Sequence, residues 1–98
     1  MVSNMSKFDK LREELSQMAA GANTSCKDFT SKLSEFGFDV KSNKNKGHRS
    51  VTHSRLPDWH GSNYNCGHSE GTHVKRNYVK DFLKIVDKFE DELQEILK

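Results

Sequence analysis

Apolar residues recur at three- and four-residue steps in three stretches of this chain and at alternate positions in the stretch between the second and third. From about Ser6 to Ala20, Phe8, Leu11, Leu15 and Met18 mark one face of an amphipathic helix. Gly21 and the following Ala22-Asn23-Thr24-Ser25 stop that helix and offer capping side chains to the next. The second helix spans roughly Cys26 to Phe36, with Phe29, Leu33 and Phe36 as its apolar stripe. Ser25 with Asp28 is a loose capping-box pair, and Gly37 stands where a left-handed C-terminal cap belongs. From about Val74 to Leu97, Tyr78, Phe82, Ile85, Val86, Phe89, Leu93, Ile96 and Leu97 keep helical periodicity without an intervening Gly or Pro. One helix of that length extends about 35 Å at ~1.5 Å per residue, farther than three short strands can cover. Its far end is therefore expected to pack against the first helix.

The middle block, Phe38 to about His68, is too polar and interrupted for helix, and three strand-like runs stand out in it. Phe38 and Val40 alternate with Asp39 and Lys41, Ser50 to His53 contains β-branched Val51 and Thr52, and Asn63 to His68 carries Tyr64 and Cys66 at alternate positions. Lys44 to Gly47 is read as the first turn and Ser54 to Ser62 as a longer second connection. The expected fold is α+β, in the order α-α-β-β-β-α: a three-stranded antiparallel sheet with helices on one face.

Ninety-eight residues, 33% of them hydrophobic, make one small domain with little surface to spare for a deep pocket. No apolar run is long enough for a membrane span and no basic segment precedes a hydrophobic one, so neither a transmembrane helix nor a signal peptide is expected, and the location is read as cytoplasmic. In that setting Cys26 and Cys66 are expected to be reduced thiols. The net charge of +2 hides a segregation: Val40 to Lys80 holds Lys41, Lys44, Lys46, Arg49, Arg55, Lys75, Arg76 and Lys80 against Asp58 and Glu70, or +6, leaving −4 for the rest. Gathered on one face, these bases would meet phosphates; left apart, they are solvated loops.

Phe36-Gly37-Phe38-Asp39-Val40-Lys41 and the stretch from Lys44 to His53 carry the strongest functional signal, reading as a helix end, a short strand, a basic turn and a histidine, His48, held at the start of a second strand. A glycine beside a histidine lets a phosphate approach the backbone while an imidazole is presented to it. With its flanking elements, this stretch resembles the HicA family of toxin ribonucleases over roughly Cys26 to Phe89. The matching residues are Leu33 to Phe38, then Lys46-Gly47-His48, then His53, then Cys66-Gly67-His68, then the basic start of the last helix from Val74 to Lys80. Two departures stand: the family's Gly-Ser-His is Lys46-Gly47-His48 here, and the connection after His53 is longer. The resemblance implies a fold similar to the double-stranded-RNA-binding domain, messenger-RNA cleavage without a metal or other cofactor, and a HicB-like antitoxin partner that masks the catalytic histidine. It divides the single domain 1–98 into an amino-terminal helical extension (1–21), a core (22–89) and the end of the last helix (90–98).

RNA cleavage needs a 2′-hydroxyl deprotonated and a leaving oxygen protonated, and an imidazole can do either for ~100- to 10,000-fold in rate. His48 is the expected acid/base, with Lys46 and Arg49 beside it as phosphate ligands; a solvated turn histidine is the bland alternative. His53, five residues on and on the opposite face of a regular strand, and His68 are secondary catalytic candidates. Lys41, Lys44, Lys46, Gly47, Arg49, Lys75, Arg76 and Lys80 are the expected RNA contacts. A zinc site from Cys66 and His68 with His48, His53 or His60 fits no familiar framework, so no metal is expected. Trp59 either stacks on a base or caps the core. Beside the ribonuclease reading stand a non-catalytic RNA-binding module and a helical interaction domain using Leu93, Ile96 and Leu97, and the helices offer a route to a homo-oligomer.

Overall fold

In the computed structural model, which describes residues 5–21, 24–42, 47–66 and 73–98, the chain is α+β. Helix α1 (Lys7–Ala20) starts where Ser6 Oγ accepts the Asp9 N–H at 3.1 Å, and it buries Phe8, Leu11, Leu15 and Ala19 along one face. Helix α2 (Cys26–Glu35) starts the same way, with Ser25 Oγ accepting the Asp28 N–H at 3.1 Å. Its stripe of Phe29 and Leu33, continued by Phe36, is fully buried. The helix closes in a double-bonded left-handed cap: Gly37 N–H donates to Ser34 O at 2.9 Å, Phe38 N–H donates to Leu33 O at 3.1 Å, and Gly37 has φ +94°.

That cap turns the chain into the sheet. Strands β2 (Asp39–Ser42), β3 (His48–Thr52) and β4 (Ser62–Asn65) pair antiparallel in chain order. The register sets Val40 beside Val51 beside Ser62, and Ser42 beside Arg49 beside Tyr64, on the inner face. Lys41, Ser50 and Asn63 form a row on the outer face. Inside, Phe82 is ringed edge-on by Phe29 (5.6 Å), Tyr64 (6.0 Å), Phe38 (6.1 Å) and Trp59 (6.4 Å between centroids). Trp59 is thus an edge of the core.

Helix α1 lies along α3 (Arg76–Lys88), and the Arg12 guanidinium forks onto the Asp87 carboxylate at 2.8 and 3.1 Å. Lys32, nearly buried on α2, reaches Glu14 of α1 at 2.6 Å and Glu35 at 3.3 Å. Burial pulls the Lys32 ammonium down, but the two carboxylates outweigh it and hold its pKa above the usual lysine value.

Three features differ from the sequence expectation. The final helix is two helices: α3 ends at Lys88 and α4 (Glu90–Ile96) follows a break at Phe89, whose φ of −105° and ψ of 28° leave the helical region. The break lets α4 touch α1 as well as α3, burying both Phe89 and Leu93, with Ile96 and Leu97 packed against the same core. Their stripe is therefore absorbed within the chain. Second, His73–Val74 is a short strand, β5, paired antiparallel with Thr24–Ser25, β1, so Val74 precedes the helix it was expected to begin.

Third, Cys26 and Cys66 are joined in a disulfide, with Cα atoms 5.4 Å apart, and the expectation of reduced thiols is overturned. The antiparallel register carries the end of β4 to the start of α2, a juxtaposition that composition does not reveal. No helix of the described residues is long and apolar enough to cross a membrane.

Candidate active site

The start of β3 is fixed by two links. Gly47, at φ +78°, accepts the Cys66 N–H at 2.7 Å, and Cys66 is bonded to Cys26 at the head of α2. That hydrogen bond lies one residue outward from the pair His48 and Asn65. It makes them a non-hydrogen-bonded pair, the kind in which facing side chains stand closest. His48 is half-buried on the outer face, sharing it with Lys41, Ser50, Asn63 and Asn65.

His48 is the first residue of the sheet's second strand, where the sequence reading had it. Strand alternation decides where its neighbour points. Arg49 alternates to the inner face, in register with Ser42 and Tyr64, so it does not flank the imidazole as a phosphate ligand on the same face. Its charge, with the Thr30 hydroxyl 2.5 Å from the Tyr64 phenol oxygen, partly offsets the burial that pushes the Tyr64 pKa up. Lys44, Lys46 and His68 lie outside the described residues.

His53 is 7% exposed and sits just past β3, on the side opposite His48. Its Nδ1 accepts the Arg55 N–H at 3.2 Å, which leaves the ring proton on Nε2 to be donated to Phe36 O, also at 3.2 Å. The ring stands edge-on to Phe38 at 5.0 Å and fills the space over Gly37, where a Cβ would come within 2.9 Å of Nε2. With both nitrogens engaged inside the protein, this histidine holds the Gly37 cap against the end of β3.

The remaining expected RNA contacts gather where α3 begins. Lys75 and Arg76 are exposed there, with Arg76 Nε donating to Gly21 O at 3.2 Å, and Lys80 is exposed one turn on. Because β5 pairs with β1 and β1 leads into Cys26, this helix start and the start of β3 are tied to the same corner of the fold. Asn63 and Asn65, which sequence reasoning did not single out, are the side chains register adds to the site. Their signal was the alternation around Tyr64, which assigns both to the outer face.

The zinc alternative loses its ligands, since Cys66 sulfur is bonded to Cys26 and His53 is engaged on both sides; among the described residues no group of three or more His, Cys, Asp or Glu is placed for a metal. A cleft of about 460 Å³ at Glu14, Thr24 and Lys32, and another of about 380 Å³ between α1 and α3, both lie away from His48. The candidate site is an open surface, suited to a polymer more than to a small molecule. No protein-family model, curated protein or solved structure matches the chain.

Proposed function

We propose that the chain is a metal-independent endoribonuclease of the type it resembles, a toxin similar to HicA, in which His48 acts as the acid/base on messenger RNA. The observation that carries this reading is the position of His48, half-exposed on the sheet face opposite the helices, at a strand start hydrogen-bonded to the disulfide-bonded Cys66. Lys41 on the same face offers a cation to the phosphate. One imidazole, taking the 2′-hydroxyl proton and returning it to the leaving oxygen, gives a slow nuclease without a cofactor.

A HicB-like antitoxin would act by covering this face, and self-association through the helices belongs to the same reading. Messenger RNA as substrate argues for a cytoplasmic site of action, whereas a disulfide is more at home in an oxidising compartment. Alkylation of the protein in freshly lysed cells, before and after reduction, decides which condition it meets.

The test of catalysis is His48→Ala. RNA cleavage and growth arrest on expression without an antitoxin should disappear while the melting temperature holds, since exposed positions contribute within ~0.5 kcal/mol. Cleavage at the wild-type rate by this variant would sink the assignment. A non-catalytic RNA-binding module is the second reading, favoured by the exposed cations Lys75, Arg76 and Lys80 at the start of α3, which need no histidine to hold phosphate. It prevails if neither wild type nor variant cleaves while both bind.

A further inference from the structure

We infer that the open face of the three-stranded sheet binds a single strand of RNA, and that Asn63 and Asn65 hold its ribose hydroxyls and base edges beside His48. The inference rests on the ribonuclease reading only for the role of His48; the surface stands on its own geometry. The outer face carries Asp39, Lys41, His48, Ser50, Thr52, Asn63 and Asn65, while the helices cover the face of Val40, Val51 and Tyr64. Lys41, Thr52, Asn63 and Asn65 are exposed, and His48 and Ser50 are half-buried.

Charge on this face is graded. His48 stands in the row at one end beside Asn65, Lys41 in the middle row beside Ser50 and Asn63, and Asp39, the single acid among these residues, in the row at the other end, paired with Thr52. Apart from Asp39, these side chains are short or basic, so a phosphodiester backbone can lie close to the sheet. No Phe, Tyr or Trp stands among them, so recognition on this face rests chiefly on hydrogen bonding. An asparagine amide supplies two N–H donors and a two-lone-pair acceptor, a match for base edges and for the 2′-hydroxyl, itself donor and acceptor.

Asn63 and Asn65 share the face at a spacing of about 7 Å, two residues along β4. Asn65 directly faces His48 in the close type of cross-strand pair, so a ribose held by its amide is held against the imidazole. Single strands are favoured over duplexes because pairing in a duplex occupies the Watson–Crick edges that an asparagine amide would otherwise meet.

The test uses the full chain carrying His48→Ala, so that RNA survives the measurement, and follows fluorescence anisotropy of a short unstructured RNA, the same RNA annealed to its complement, and a DNA of the same sequence. Adding Asn63→Ala and Asn65→Ala should weaken single-strand binding about tenfold, the loss expected for two hydrogen bonds. Circular dichroism checks that each variant keeps the fold, and Asn65→Asp, which keeps the side-chain shape and adds a charge, serves as a second variant with weakened binding. Duplex RNA and DNA should bind the background protein more weakly than the single strand. Unchanged affinity in both Asn variants, or equal affinity for duplex or DNA, overturns the inference. If wild type cleaves RNA but the Asn variants bind as before, the surface is wrong and the nuclease reading survives. If binding depends on the asparagines but nothing is cleaved, the surface stands and the nuclease reading falls. Binding of no nucleic acid removes both.

Discussion

At its start β3 presents His48 on open sheet, with the backbone behind it held by the Cys66 N–H and, through the disulfide, by α2. At its other end the chain delivers His53 into the core, bonded on both ring nitrogens and wedged over Gly37. The two residues are chemically identical and five positions apart, an odd separation that sends them to opposite faces. Where the strand is secured by a backbone hydrogen bond from a disulfide-bonded neighbour, its side chain is left facing solvent. Where it is secured by the side chain itself, the imidazole has become part of the scaffold.

Breaking each anchor in turn tests that contrast. The largest effect is expected at the start of β3: a disulfide joining residues 40 apart should contribute about 4 kcal/mol by restricting the unfolded chain. Urea unfolding with and without reductant, or of the double Cys→Ser variant, measures it; no loss would mean that the hydrogen bond to Gly47 holds the strand start alone. His53→Ala should follow at about 3 kcal/mol, combining a core cavity with two unmet hydrogen-bonding partners, Phe36 O and the Arg55 N–H. A loss comparable to that of an exposed residue would place His53 outside the scaffold.

Gly37→Ala should cost about 2 kcal/mol, from its positive φ and from the 2.9 Å approach to His53 Nε2. Because one component is the contact with His53, the double variant should lose less than the sum of the single ones, and strict additivity in a double-mutant cycle would show that the contact is not felt. Smallest of all is His48→Ala, within ~0.5 kcal/mol in the same urea measurement. A loss of several times that would erase the difference between the two ends of the strand.

Much of this architecture was legible in the chain. The steps of Phe8, Leu11 and Leu15, the stripe of Phe29, Leu33 and Phe36, and the capping roles of Ser25 and Gly37 follow from local patterns, and the structure keeps them. Local pattern failed where the deciding contact is distant in sequence. The helix breaks at Phe89, and the α4 that follows buries Leu93 against the core, yet nothing within the periodicity of α3 marks that spot. The disulfide and the β1–β5 pair join segments 40 or more residues apart. The site was half legible: a histidine beside a glycine could be named, but which of its neighbours share its face is a matter of register, and register separated Arg49 from it and added Asn65.

The disulfide also makes the molecule partly a ring. Residues 26–66 form a closed covalent circuit that contains α2 and the whole three-stranded sheet, while α1, α3 and α4 hang outside it. Within the circuit, Arg55 lies exposed in the connection between β3 and β4. A tryptic cut after Arg55 would therefore open the polypeptide without separating its pieces: one band on a gel run without reductant, two with it. Up to that cut the chain has a single amino and a single carboxyl terminus; after it, the protein becomes a two-chain molecule whose halves meet across the sheet and are held together at sulfur.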